Sequence, residues 1–366
     1  MNELDQLRQK IEAIDSQMVE LFEDRMKCSF AIAKYKRERG LPVLDKEREK
    51  LLLDKNAKLV KDKVLEAYYR EYLQDVMDIS KKYQNRLMEG AKVAYSGIEG
   101  SFASISVSKI FPQANRIPCH TFQEAYDAVE SGDADLCVLP IENSYAGEVG
   151  QVTDLMFSGD LYINGVYELR VSQCLLGVMG SDESTIKSVI SHPQALEQCS
   201  DYISKHNYET VAFENTARAA REVANKGDVT VGAIASKETA GLYGLKVIDH
   251  DINESANNTT RFAVFAKSPD VVKQDDEVTT FILMFVVKDG AGTLAKAVSI
   301  IGEHGYSMKA IRSRPTKDKD KSWQYYFYTE VEGTIDSSDG QQMLDELKKE
   351  CEFIKVIGSY KSQVRI

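Results

Sequence analysis

The chain has 366 residues, 46 lysine and arginine against 57 aspartate and glutamate, and a net charge of −11; at about 100–200 residues per domain, that length asks for two or three domains, each able to bury a core. No run approaches the ~20 apolar residues of a membrane helix, and the acidic balance argues against a general nucleic-acid binder, whose phosphate contacts need a basic face. The six cysteines, at 28, 119, 137, 174, 199 and 351, form neither a CxxC pair nor a cluster with histidines. Neither a disulfide framework nor a metal site is therefore expected, and because MNELDQLRQK lacks the pattern of a signal peptide, the expected location is the cytoplasm.

Residues 1–90 hold two of the 22 glycines, one of the seven prolines and 19 basic against 18 acidic residues, which leaves the remainder at −12. A glycine-poor, Lys/Glu/Leu-rich stretch of this kind reads as all helix. One helix is predicted from about Leu4 to Arg37, ended by RGLP at 39–42. A second follows Asp45, and a third covers 63–86, closed by Gly90. The first carries a heptad seam of Leu4, Leu7, Ile11, Ile14, Met18 and Leu21, continued by Arg25, Cys28, Ile32 and Tyr35. A guanidinium in an apolar seam costs several kcal/mol unless paired, so an anionic partner is expected at Arg25. Lys36 lies three turns on, on nearly the same face, whereas Arg8 is roughly 25 Å away along the helix and about 100° round. If all three serve one kind of site, Arg8 must reach the site of another subunit, in an intertwined dimer. Asp45, Arg48 and Glu49 share a helix face, as do Ser80 and Gln84. Taken singly, the other residues fit a helical dimerisation module with solvated charges; Arg25 tips towards a ligand.

LRQKI, EDRMKCSFAIAKYK, PVLDKERE and DISKKYQ resemble the all-helical chorismate mutases over residues 4–86. The resemblance implies that Arg8 of a partner chain, Arg25 and Arg48 bind the substrate carboxylates and that Asp45 and Glu49 touch its hydroxyl. It also implies that Lys36 and Gln84 bond the ether oxygen, with Ser80 beside them. The chemistry fits that inventory. The chorismate rearrangement is pericyclic, with no proton transfer and no nucleophile. Holding the folded conformer and stabilising charge on the breaking ether oxygen is all an enzyme can contribute, and no cofactor is needed.

From Ala91 to about Lys267, short β-rich runs such as KVAYSG, DLCVLPIEN, CLLGVMG and RFAVFAK alternate with helical stretches at 121–131, 194–206 and 216–226. This predicts an α/β protein of two lobes with a cleft. Four segments stand out. YSGIEGSF at 95–102 is a glycine-rich turn after a strand; LPIENSYAGEVG places Glu142, Asn143 and Ser144 at a strand end; SHPQALEQC puts His192 at another; NNTTRF crowds two hydroxyls and an arginine before a strand. In this order they are similar to prephenate dehydratase, a fold like the two-lobed periplasmic binding proteins. The resemblance implies that Thr260 acts on the departing hydroxyl and that Ser101, Asn143, Ser144 and Arg261 position the substrate. A threonine hydroxyl is a poor acid at neutral pH, so Thr260 is read as a hydrogen-bond donor or relay, and Glu142 and His192 as structural.

SPDVVKQDDE reads as a linker. Beyond it, strand, helix (293–304), strand (306–312), strand, helix (340–350), strand is the ferredoxin-like order. GTLAKAVSIIGEHG followed by IRSRP resembles the phenylalanine-sensing ACT domains, which implies an effector site at Gly292, Thr293, Leu294, Ser313 and Arg314. The family's usual glutamate is here Arg312, a charge reversal in the sensing motif.

The expected architecture is thus a helical domain at 1–90, a two-lobed α/β domain at 91–268, a linker at 269–277 and an α+β ACT domain at 278–366. The expected activity is conversion of chorismate through prephenate to phenylpyruvate, with L-phenylalanine as effector, in a cofactor-free, metal-free homodimer or a higher oligomer built on it that touches neither nucleic acid nor membrane. Two alternatives stand beside it: the same architecture acting on arogenate, or a non-catalytic amino-acid sensor.

Overall fold

A computed structural model describes residues 2–255, 257–269, 279–316, 324–361 and 364–366, in two units, Met1–Ala91 and Lys92–Ile366. The first is built of helices α1 (Glu3–Arg39), α2 (Lys46–Ala57) and α3 (Glu66–Glu89). A capping box between Asn2 and Asp5 starts α1, and Gly40, in the left-handed region at φ 64°, ends it. The C-terminal half of α1 lies along α3: Arg25 and Arg37 donate to the carbonyls of Val76 and Leu87, and Ser29 and Ala33 between them are buried. The N-terminal half keeps its apolar seam in the open, from Met18 at 40% to Leu21 at 71% exposure.

The second unit begins with a lobe of β1 (Lys92–Ser96), α4 (Phe102–Ile110), β2 (Asn115–Cys119), α5 (Phe122–Ser131), β3 (Leu136–Asn143), β4 (Gly147–Glu148), α6 (Gly150–Ser158) and β5 (Tyr162–Arg170). A second lobe follows, with β6 (Cys174–Gly177), β7 (Ser188–Ser191), α7 (Pro193–Gln198), α8 (Ser200–His206), β8 (Glu209–Ala212), α9 (Thr216–Lys226), β9 (Val231–Ala235), α10 (Lys237–Tyr243) and β10 (Lys246–Asp249). The chain then returns to the first lobe as β11 (Thr259–Ala266). The C-terminal part is β12 (Thr279–Val287), α11 (Thr293–Glu303), β13 (Ser307–Pro315), β14 (Tyr325–Glu332), α12 (Ser338–Glu350), β15 (Cys351–Lys361) and β16 (Val364–Arg365), the ferredoxin-like order expected. Apart from Pro269, the expected linker lies outside the described residues.

Among the described residues, the second lobe holds a sheet in the order β10-β6-β9-β7-β8. The first lobe and the C-terminal part share one sheet, β13-β14-β12-β15-β5-β11-β3-β1-β2, with β4 on β3 and β16 on β5. Strand alternation divides β12 between two cores. Phe281, Leu283 and Phe285 pack with Ala297, Ile301, Met343 and Leu347 of the helices. Ile282, Met284 and Val286 instead join Leu139, Ile163 and Phe265 of the first lobe, each such burial contributing about 1.5–3 kcal/mol. The C-terminal part is therefore fused to the first lobe through side chains as well as backbone.

That fusion turns on Gly358, which pairs with Ile163 where β15 meets β5. Its φ is 150°, and a Cβ there would run into the Ile163 carbonyl oxygen. Gly358→Ala is expected to destabilise the second unit by about 2 kcal/mol, read as a lowered melting temperature; an unchanged melt would contradict this packing.

The helix expected over 194–206 is two helices, broken at Cys199, whose φ is −116° and whose side chain is fully buried. Re-aiming the chain there buries Ala195 and Ile203 in the same core. No helix among the described residues is long and apolar enough to cross a membrane.

Candidate active sites

In the helical unit, α1 and α3 bring Arg25, Ser80 and Gln84 together. Arg25 donates to the Val76 carbonyl at 3.2 Å and to the Ser80 hydroxyl, and Gln84 lies one turn beyond Ser80 on α3, buried, with no hydrogen-bond partner on its Oε1 among the described residues. Both acceptors at Arg25 are neutral; its expected anionic partner is not supplied by these contacts. The Lys36 ammonium donates to the Val43 carbonyl at 2.7 Å, tying the end of α1 to the loop before α2. Asp45 caps α2, accepting from the Arg48 N–H at 2.9 Å, and the Arg48 residue is exposed. Glu49 pairs with Lys81 of α3 at 2.9 Å, a cation absent from the expected set. Arg8 lies on the exposed half of α1.

In the second unit the four singled-out segments gather where the lobes meet. The glycine-rich turn touches α10: Thr239 donates to the Gly100 carbonyl at 2.8 Å and the Tyr243 hydroxyl to that of Glu99 at 3.0 Å. Ser101 caps α4, accepting from the Ser104 N–H. His192 caps α7 through its ring, and burial pushes its imidazole below the usual range. Across the lobe-one sheet, the register sets Thr260 opposite Asn143 and Arg261 opposite Glu142. The Asn143 amide donates to the Thr260 hydroxyl at 2.9 Å and to the Asn258 side-chain oxygen at 2.9 Å. Ser144 is bonded to the same segment, its hydroxyl 3.2 Å from the Asn257 carbonyl and 2.9 Å from the Thr259 N–H.

Because successive strand residues face opposite ways, the Arg261 side chain leaves β11 on the face opposite Thr260. Its guanidinium grips Glu330 of β14 with two bonds of 2.9 Å, Glu142 at 3.0 Å and the Tyr360 hydroxyl at 2.8 Å. Arg312 reaches the same Glu142. The same alternation separates Ser313 from Arg314: Arg314 is held by Asp154 of α6 at 2.9 and 3.1 Å and by the Tyr326 hydroxyl. Arg314 thus reaches across to the first lobe.

Burial alone raises the Glu330 carboxyl, but Arg261 and the hydroxyls of Tyr328 and Tyr360 outweigh it and leave it below its ordinary 4.5. A depressed carboxyl stabilises the fold fully above its unfolded value and loses that contribution as pH falls through the folded one. The junction is therefore expected to weaken below about pH 4. Glu330→Gln, which leaves Arg261 with Glu142 as its remaining carboxylate partner, is expected to cost about 1–3 kcal/mol at neutral pH. Thermal melts against pH check both: the wild type should converge on the variant in acid, and parallel curves would dismiss the network.

A cavity of about 810 Å³ beside Phe157 and Tyr326 is lined by none of Arg25, Ser80, Gln84, Asn143 and Thr260, and one of about 970 Å³ beside the 42–44 loop takes in Val43 and Lys81, the partners of Lys36 and Glu49. Sequence reading missed Asn258, Gln198 and Glu330. The first two sit inside the quoted NNTTRF and SHPQALEQC segments, where hydroxyls, the arginine and the histidine drew attention instead.

A helical unit with a cationic constellation, and a second unit that joins a two-lobed α/β part, with a threonine–amide pair at the lobe junction, to a ferredoxin-like part, define a multidomain protein with two candidate active sites. Family models match in that order: Chorismate mutase type II over residues 7–85, Prephenate dehydratase over 93–270 and ACT domain over 281–352. The chain is 32% identical to the bifunctional chorismate mutase/prephenate dehydratase of Aquifex aeolicus, over 98% of each chain. It is 34% identical to the arogenate dehydratase/prephenate dehydratase 1 of Arabidopsis thaliana, over 74% of this chain and 71% of that one. Among solved structures, the prephenate dehydratase in complex with L-Phe from Arthrobacter aurescens superposes with a TM-score of 0.68 at 25% identity, over 74% of this chain and 89% of that one. The chain belongs to the bifunctional chorismate mutase/prephenate dehydratase family.

Proposed function

We infer that the protein rearranges chorismate to prephenate in its helical unit and converts prephenate to phenylpyruvate, with loss of water and carbon dioxide, at the lobe junction. What carries the reading is the full-length match in one domain order, joined to polar constellations of the right chemistry in both units. At the first site Arg25, Arg48 and Arg8 of a second subunit bind the carboxylates, Asp45 and Glu49 the hydroxyl, and Lys36 and Gln84 the ether oxygen, beside Ser80. Two observations support a homodimer: Arg8 sits on the outlying half of α1, and the apolar seam around it is exposed, a face that a second copy of the same seam would cover.

At the second site Thr260 faces the departing hydroxyl, with Asn143 holding it and Ser101 and Ser144 lining the approach. Aromatisation supplies the driving force, so a directed hydrogen bond and anchors for the carboxylates suffice. L-Phenylalanine is the proposed effector, at Gly292, Thr293, Leu294 and Ser313 of the ACT domain, a role supported by the phenylalanine complex of the Arthrobacter relative. The proposed location is the cytoplasm.

A second reading, arogenate as the substrate of the dehydratase, is favoured by the Arabidopsis relative. Purified protein assayed for chorismate consumption and for phenylpyruvate release from prephenate, each with and without phenylalanine, tests the set. Chorismate consumption with inert prephenate would remove the prephenate assignment, and arogenate turnover would replace it.

A further inference from the structure

The hydrogen bonds around Asn143 can be read for direction, and the direction has a consequence for Thr260. The Asn143 side-chain oxygen accepts from two backbone groups, the N–H of Tyr145 at 3.0 Å and of Ala146 at 2.9 Å. Backbone N–H groups only donate, so the amide orientation is decided: its NH2 faces the other way. That NH2 lies 2.9 Å from the Thr260 hydroxyl oxygen and 2.9 Å from the Asn258 side-chain oxygen. Thr260 therefore accepts from Asn143, and this bond leaves its own proton to be donated elsewhere.

The same logic passes one residue further. Because the Asn258 oxygen accepts, its NH2 is the donor to the Gln198 side-chain oxygen, at 2.9 Å. Asn258 is 1% exposed and Gln198 5%. Asn258 lies between β10 and β11, on one of the two chain crossings between the lobes, and its carbonyl accepts from Val171 on the other crossing at 2.8 Å. Gln198 ends α7 in the second lobe. One run of side-chain amides thus leads from the second lobe, through the hinge, to the Thr260 hydroxyl.

Resting on the dehydratase reading above, we propose that Asn258 is a positioning residue for that reaction: it aims the Thr260 proton at the departing hydroxyl by holding the Asn143 amide. Asn258 touches no substrate in this role and acts through Asn143 alone. A buried asparagine can also serve merely to satisfy its neighbours, and the two roles separate in their kinetics. A misaimed catalytic group lowers turnover without weakening substrate binding, whereas a loosened fold lowers stability and disturbs both.

The test uses the full-length protein with Asn258→Leu, Thr260→Val and the double variant, measuring kcat and KM on prephenate, or on arogenate if that is the substrate turned over. Mutase turnover and the melting temperature are followed on the same samples. Asn258→Leu is expected to lower dehydratase kcat by about 100-fold, with KM within about threefold and mutase turnover unchanged. In the Thr260→Val background the same substitution is expected to change kcat by less than about twofold, because nothing is left to aim. Equal losses in both backgrounds, a loss carried by KM, or an unchanged kcat would each overturn the proposal. If the leucine variant does not fold, Asn258→Ser, which leaves room for a water, is put through the same cycle with the same expectations. The wild-type rates on prephenate and arogenate, taken alongside, separate failure of this inference from failure of the underlying reading.

Discussion

Lys36→Ala is expected to lower chorismate mutase turnover by about 10²- to 10³-fold, the usual loss when a group aimed at developing transition-state charge is removed, and to leave the dehydratase rate as it was. The rearrangement offers no other handle, since no proton moves and no covalent intermediate forms. In the free protein the Lys36 ammonium donates to the Val43 carbonyl. That bond holds it at the α1 end of the site, and substrate must compete for it. The companion experiment asks where Arg8 acts. Arg8→Ala and Lys36→Ala chains are each expected to be nearly inactive as mutases. When the two are co-expressed, a mixed dimer has one site with both native residues and one with neither. Half of the dimers are mixed, so about a quarter of the wild-type activity should return. A mixture as inactive as its parents would remove the shared-site geometry, while leaving any Lys36 effect intact. Loss of both activities in Lys36→Ala would show instead that the helical unit and the rest of the chain do not fold independently.

Periodicity made most of the architecture legible. The α1 heptad, the glycine–proline stop at 39–42 and the strand–helix order of the last 90 or so residues are local signals, and each corresponds to an observed element. The helices over Phe102–Ile110, Gly150–Ser158 and Lys237–Tyr243 carry no such signal. The first is rich in serine and β-branched residues, and the third is seven residues long with a glycine inside. Two of them rest on their caps, Ser101 and Ser236, and on burial against the lobes, which a local reading does not register. The partners of the site residues are a different matter. Alternation separates Thr260 from Arg261 and Ser313 from Arg314, but which face meets the cleft depends on elements 69 to 170 positions distant in sequence, such as Glu330 for Arg261 and Glu142 for Arg312. Motif adjacency made neighbours in sequence look like neighbours in space.

Arg312 gains a meaning from the same geometry. As a departure from the family's glutamate it reads as damage to an effector motif. In the structure it faces the first lobe, where it shares Glu142 with Arg261 and stands 5.4 Å over the Tyr328 ring. A glutamate at that position would set a third carboxylate beside Glu142 and Glu330, and like charges so close raise one another's pKa. The arginine instead completes an alternating run of charge from β13 to β3. The residues on that run, Glu142 and Arg261, are the immediate chain neighbours of Asn143 and Thr260.

Thr260→Val is expected to be the most damaging single change to the dehydratase. Valine keeps the branched shape and the β-strand preference, so the exchange between β3 and β11 should survive, and only the hydroxyl is lost. Asn143 then points its NH2 at a methyl group. It still bonds Asn258 and the Thr259 carbonyl, so the stability cost should be small. The rate cost should not be: a hydrogen bond aimed at charge developing on a leaving oxygen contributes about 10²- to 10³-fold, and the dehydratase kcat is expected to fall within that range while chorismate mutase turnover stays at the wild-type value. Thr260→Ser is the control, because it restores the hydroxyl in a less restrained side chain, and it should recover most of the lost rate. Should the valine variant instead keep more than about a tenth of the wild-type kcat, Thr260 would be a substrate contact rather than a donor to the leaving group. The charge on the departing hydroxyl would then have to be met by solvent, and the amide run behind Thr260 would stand as packing between the lobes alone.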